Sequence, residues 1–264
     1  MRMVKEGAMI FDTHAHYEMA WFDENREELL AGMPAAGIGA ICNIGSDWDS
    51  LDKTRALTEK YPFFYGAYGI HPDEIADLNE ERFAALRGYL ADEKAVALGE
   101  IGLDYYHNTE NKTTQNEWFE RQALLARELE KPIVIHSREA AEDTLTMAKT
   151  RHFEDIGGIV HCFSYTKETA RAYIDMGFYI GVGGVVTYKN GRRLKETVED
   201  IALEHIVLET DSPFLAPDPY RGKRNDSTHL REVIRAIAEI KDVTEDEVEE
   251  ATWRNACTVY RLAI

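Results

Sequence analysis

An α/β barrel of eight strand–helix units is the fold this sequence predicts, on three observations. Short apolar runs rich in Ile, Val and Tyr alternate with longer charged, amphipathic stretches from residue 8 onward. Eight such pairs can be counted, and the 264-residue length suits a closed (β/α)8 barrel, commonly about 250 residues in one domain. Strands are expected at Met9 to Thr13, Ile38 to Ile44, Phe63 to Ile70, Ala95 to Gly99, Pro132 to His136, Gly158 to His161, Phe178 to Gly181 and His205 to Glu209. Helices are expected near 23–33, 47–60, 79–91, 113–130, 139–150, 167–176, 191–200 and 227–240. A last helix starts at Thr244, which forms a capping-box pattern with Glu247, and runs toward Leu262. A doubly wound open sheet would call for a Gly-rich first turn, and residues 12 to 22 contain no glycine. The barrel is expected to occupy residues 9–264 as one domain, with residues 1–8 as an N-terminal extension.

Forty-eight acidic against thirty basic residues give a net charge of −18, which repels polyanions at long range and argues against a protein that coats nucleic acid or acidic membranes. A local site holding divalent cations reverses that sign where it matters. Cys42, Cys162 and Cys257 are odd in number and widely spaced, which excludes a disulfide framework or a zinc knuckle and points to a reducing compartment. No apolar run reaches the roughly 18 residues of a membrane span, and residues 1–7 carry Arg2, Lys5 and Glu6 with no signal-type core behind them. A cytoplasmic monomer is expected.

The polar residues then fall into place. His14 and His16 end the first strand and, being two apart, face the same side. His71 follows the third strand, Glu100 the fourth, His136 closes the fifth, His161 the sixth, and Glu209 with Asp211 ends the eighth. The C-terminal ends of barrel strands gather at one mouth, so these residues are expected to converge. A single histidine at a strand end is usually a hydrogen-bonded rim residue, but five of nine histidines in such places call for a common cause. Four imidazoles with two carboxylates exceed what one zinc ion needs. Two ions fit: His14, His16 and Asp211 on one, His136 and His161 on the other, with Glu100 bridging. Four cationic charges less those of Glu100, Asp211 and a shared hydroxide leave about one positive charge facing substrate, which favours a phosphate. Such a pair activates water and stabilises both oxygens of an in-line displacement. His71 would hydrogen-bond the scissile group or shuttle a proton, and Glu209 would hold a ligand histidine or a water, as would Asp12, two residues before His14.

Cations also crowd this rim: Arg138, then Lys189, Arg192 and Arg193, then Arg221, Lys223 and Arg224, suited to flanking phosphates. Trp21, Phe22, Phe163 and Tyr165 are candidates for stacking or wall contacts, and Tyr105 for the pocket wall.

Several segments together resemble the TatD family of metal-dependent deoxyribonucleases: Phe11 to His16, Gly69-Ile70-His71-Pro72, Gly99 to Tyr105, Pro132 to Arg138, His161-Cys162-Phe163-Ser164 and Glu209 to Pro213 with Leu215-Ala216-Pro217. Order and spacing agree from about residue 9 to the C-terminus. The resemblance implies a TIM-barrel hydrolase with a two-metal site, 3′-to-5′ exonuclease or related DNase activity, and metal-ligand roles for His14, His16, Glu100, His136, His161 and Asp211, with His71 near substrate. The substrate expected is DNA, single-stranded or at its ends, and the ions Zn, Mn, Mg, Co or Ni. After Arg221-Gly222-Lys223-Arg224-Asn225 many members continue with Glu-Pro, where this chain has Asp226-Ser227-Thr228. The competing enzyme class is an amidohydrolase acting on a small ester or amide, many of which bridge their metals with a carboxylated lysine at the end of the fourth strand; here Glu100 stands there and Lys94 starts the strand. A metal-storing scaffold would need closed coordination with no room for water.

Overall fold

Nearly continuous apolar runs, rather than alternating ones, suit strands covered on both faces, and here they pair in parallel. The computed structural model describes residues 9–263, so the expected extension at 1–8 lies outside the described residues. The strands are β1 (Ile10–Ala15), β2 (Ile38–Gly45), β3 (Phe64–Tyr68), β4 (Ala95–Asp104), β5 (Ile133–Arg138), β6 (Gly158–Val160), β7 (Phe178–Val182) and β8 (Ile206–Leu208). They alternate with helices α1 (Arg26–Gly32), α2 (Trp48–Lys60), α3 (Glu80–Leu90), α4 (Lys112–Glu128), α5 (Ala141–Thr150), α6 (Lys167–Ile174), α7 (Arg192–Asp200) and α8 (Leu230–Lys241), and α9 (Glu245–Val259) follows. Each strand pairs with the next in chain order, all in parallel.

The ring closes where β1 meets the chain leaving β8. Thr13 Oγ1 donates to Leu208 O at 2.9 Å, Asp211 N to His14 O at 2.9 Å and His16 N to Ser212 O at 2.8 Å. Phe11, Val96, Val134, Ile159 and Val207 come from five strands, yet they join one apolar cluster with Trp253 and Tyr260 of the C-terminal segment. Side chains from strands as far apart as β1 and β4 can meet only inside the ring, so α9 stoppers one end of the barrel. The polar mouth is the other. The predicted capping box is present: Thr244 N donates to Glu247 Oε2 at 2.8 Å and Glu247 N to Thr244 Oγ1 at 3.2 Å.

Strand ends differ from expectation in an informative way. β4 runs on to Asp104, so Glu100 lies within the strand, and the β4–β5 register slips between Leu98 and Ile101. An apolar pattern interrupted by Gly99, Glu100 and Gly102 reads as a terminus, whereas the ladder continues through the irregularity. β8 is shorter than expected, and Glu209 and Asp211 lie just beyond Leu208.

Candidate metal centre

β1 delivers His14 and His16 to the mouth with their Nε2 atoms 3.2 Å apart. Across the seam Asp211 Oδ1 lies 3.6 Å from His16 Nε2 and 3.9 Å from His14 Nε2. Glu100 occupies the middle. Its carboxylate oxygens lie 2.7 Å from His136 Nδ1, 3.4 Å from His14 Nε2, 3.5 Å from His161 Nε2 and 4.0 Å from His71 Nε2. β4 can approach β5 this closely because residue 102 is glycine: with φ at 153°, a Cβ there would sit 1.8 Å from His136 O.

The charges are strongly coupled. Burial disfavours ionised Glu100, but His161, His14 and the hydrogen bond with His136 outweigh it and hold the carboxyl well below the usual range. Burial likewise opposes charge on His136, yet Asp104 and Glu100 push it up to about 9, and Glu209 with Glu100 does the same for His161, to about 9. His14 is stacked on His161 at 3.5 Å; burial first and that neighbour second lower its pKa. His71 falls to about 3, through burial and the adjacent His136. Asp73 N donates to His71 Nδ1 at 3.2 Å, so the neutral ring carries its proton on Nε2, the atom facing Glu100.

Supporting groups fix these rings. Glu209 accepts from Cys162 N at 2.6 Å and lies 3.3 Å from His161 Nδ1. Gly181 leaves the room, since a Cβ there would meet Glu209 Oε2 at 2.3 Å. Asp12 holds backbone rather than a ring: it accepts from His14 N at 3.3 Å and Thr210 N at 3.0 Å, and from the hydroxyls of Thr210 and Ser227 at 2.7 and 2.6 Å. Asp104 was not anticipated. Its Oδ2 lies 3.0 Å from His136 Nε2 and 2.9 Å from His107 Nδ1. Its place four residues after Glu100 on one strand face was the available signal. Glu18, two residues after His16, was missed as well; its Oε1 is 3.5 Å from His16 Nδ1.

Three of the expected substrate contacts have partners within the chain. The Tyr105 hydroxyl donates to Asp143 at 2.7 Å and accepts from Asn116 at 2.8 Å, tying that residue to α4 and α5 instead of the cluster. Arg224 donates through Nη1 to Trp21 O and Asn25 Oδ1, both at 2.9 Å, because the chain after β8 folds back over the β1 loop. Arg221 stacks on Tyr188 at 4.1 Å. Arg138 is exposed and lies over Tyr106 at 4.4 Å. Of the proposed stacking aromatics, Phe22 and Phe163 are buried, Tyr165 bonds Ser137, and Trp21 remains exposed.

The donor set suits divalent cations. His14 and His16 point Nε2 at one another, and His14 leaves a buried Nδ1 without a hydrogen-bond partner. His14, His16 and Asp211 each offer one atom within 4.8 Å of the others, as do His14, Glu100 and His161, and His71, Glu100 and His136. His71 therefore stands closer to a cation position than expected of a residue outside both ligand sets. Cys162 lies beside His161 and Asp211, but burial and the neighbouring carboxylates keep its thiol protonated.

Residues 11–261 match the family model for TatD-related DNases. YabD of Bacillus subtilis, named an uncharacterized metal-dependent hydrolase, is 40% identical over 254 residues, 96% of this chain and 100% of that protein. A 3′-5′ ssDNA/RNA exonuclease TatD of Cronobacter sakazakii is 29% identical over 257 residues, 95% of this chain and 97% of its own. The crystal structure of the Escherichia coli TatD homolog YjjV superposes with a TM-score of 0.91 at 27% identity, covering 97% of this chain and 99% of that one. Barrel, histidine–carboxylate cluster and these likenesses agree: the chain belongs to the TatD-related DNase family of metal-dependent hydrolases.

Proposed function

We propose that the chain is a two-metal phosphodiesterase that removes nucleotides from the 3′ end of DNA, with single strands preferred. The observation that carries this reading is the position of Glu100, one carboxylate within 4.0 Å of four imidazoles from four strands or their loops. One oxygen for each of two cations is what a bridging carboxylate supplies. His14, His16 and Asp211 would hold the first ion, His136 and His161 the second, with Glu100 shared. Bound divalent ions would supply activation of water and stabilisation of the oxyanions of an in-line displacement.

The chain's own residues do the rest. Glu209 and Asp104 fix the ring planes of His161 and His136, so their lone pairs are aimed before substrate arrives. His71, neutral with a proton on Nε2, donates a hydrogen bond toward the scissile phosphoryl group; its low pKa suits it to donation rather than to proton shuttling near neutrality. Arg138 supplies a positive edge at the rim. A separate groove of about 680 Å³ is lined by Lys167, Arg192 and Arg193 together with Glu168 and Glu196; Arg192 pairs with Glu196 at 2.7 Å, and Arg193 Nη1 donates to Ser164 O at 3.4 Å.

The amidohydrolase alternative loses support at Lys94, whose ammonium donates to the carbonyls of Thr58, Tyr61 and Pro62 at 2.7, 2.8 and 3.3 Å. The Cronobacter relative's name, an exonuclease on single-stranded DNA and RNA, supports the strand preference. The test is to strip metal, restore Zn, Mn, Mg, Co or Ni singly, and follow shortening of 5′-labelled single-stranded DNA. Loss of about a hundredfold or more in Glu100→Gln and Asp211→Asn, with folding intact by circular dichroism, is expected. Undiminished cleavage by both variants would overturn the proposal.

A further inference from the structure

The large hydrophobic side chains exposed among the described residues are Met9, Trp21, Tyr106, Leu124 and Phe214. All three aromatics in that set follow β1, β4 or β8 at the polar mouth. Two of them meet: the rings of Trp21 and Phe214 pack edge to face, centroids 6.4 Å apart at 72°, with 62% and 43% of their surfaces still exposed. An edge-to-face pair leaves ring surface uncovered on both partners.

These rings hang on backbone that is tied to the cluster. Phe214 N donates to Asp211 O at 2.8 Å, and His16 N donates to Ser212 O at 2.8 Å. On the other side Met19 N donates to His16 O at 3.2 Å and Phe22 N to Met19 O at 3.1 Å, fixing the turn that carries Trp21. Arg224 braces the turn from behind through Trp21 O, with its guanidinium 4.8 Å from the ring of buried Phe22. Asp211 and Leu215, with φ of 54° and 52°, bracket Phe214 in left-handed backbone that non-glycine residues rarely adopt. Wet aromatic faces on a braced support are what an unpaired nucleobase stacks on, whatever its identity, and a base held in a duplex stack cannot reach them without first being unstacked.

We infer that Trp21 and Phe214 form a stacking platform for the unpaired base of a nucleotide beside the scissile phosphodiester, and that this pair sets a preference for single strands. The inference rests on the phosphodiesterase reading above. It is tested with metal-loaded wild type, Trp21→Ala, Phe214→Ala and Trp21→Phe on three substrates: single-stranded (dT)6, a hexamer of abasic tetrahydrofuran units, and a blunt duplex. Wild type should favour (dT)6 in kcat/KM, and each alanine variant should lose about tenfold of its selectivity for (dT)6 over the abasic hexamer. The loss should lie in KM, and Trp21→Phe should restore most of it. A fluorescence titration with phosphorothioate (dT)6 should quench tryptophan emission in wild type and much less in Trp21→Phe. Selectivity and quenching unchanged in the variants while (dT)6 is still cleaved would overturn the platform and leave the phosphodiesterase standing. A wild type that neither cleaves nor binds (dT)6 with any of the ions would overturn both.

Discussion

His136 Nε2 lies 3.0 Å from Asp104 Oδ2 while the Nδ1 of the same ring lies 2.7 Å from Glu100. One imidazole thus spans the carboxylate at the centre of the cluster and a second that is buried against the ring. Asp104→Asn keeps the shape and removes the charge. Affinity for the second metal ion should fall about 10- to 100-fold. In the metal-free chain the His136 pKa should drop below 9, read by NMR titration of the ring protons. Unchanged affinity and titration would show that Asp104 serves only the β4–α4 turn.

Metal loading should release protons. His136 and His161, each pushed up to about 9, hold protons at pH 7 in the metal-free chain, as does His16, where burial opposes the charge but Asp211 and Glu18 hold the ring well above its ordinary value, and all three must lose them to offer a lone pair. Calorimetry in buffers of differing ionisation enthalpy should count up to about three protons released per chain, with affinity rising until roughly pH 9. The same protons stabilise the metal-free fold. Because the folded values lie above the ordinary 6.5, that contribution is complete below 6.5 and fades as pH passes 9. The Tm of metal-free protein should therefore fall between pH 7 and 10.

Gly102→Ala should destabilise the barrel by about 3 kcal/mol or more, because the added Cβ would sit 1.8 Å from a backbone oxygen of β5 that cannot swing away. Urea titration of the metal-free protein checks this free of metal linkage. A change under about 1 kcal/mol would mean that β4 and β5 can separate at His136.

Two arginines expected to do the same work should part company. Arg224→Ala loses two hydrogen bonds that hold the β1 loop and should cost about 1–2 kcal/mol of stability. Exposed Arg138→Ala should leave stability within about 0.5 kcal/mol and flatten the salt dependence of DNA binding by about one unit of slope. Identical salt slopes for Arg138→Ala and wild type would remove Arg138 from the substrate path.

The barrel was legible because strands covered on both faces must be apolar nearly throughout, and that leaves their borders visible. The six residues expected to gather at the mouth do gather there, since closing the ring forces the ends of all strands together. Asp104 escaped because Gly102 interrupts the apolar pattern, so the strand read as ending at Gly99, five residues early. Arg224 has an anchoring role that the sequence around it does not announce. An arginine after the last strand looks free to grip phosphate, and nothing local to it reveals that the chain returns to bond Trp21 and Asn25, some 200 positions away.

The seam between β1 and the chain beyond β8 bears on biosynthesis. Asp12 and His14 leave the ribosome early, while Thr210, Asp211 and Ser227, which complete their surroundings, emerge near the end. A nascent polypeptide stalled before Asp211 lacks one of the three donors of the His14, His16 and Asp211 group. Completion of that donor group is therefore deferred until translation is almost finished.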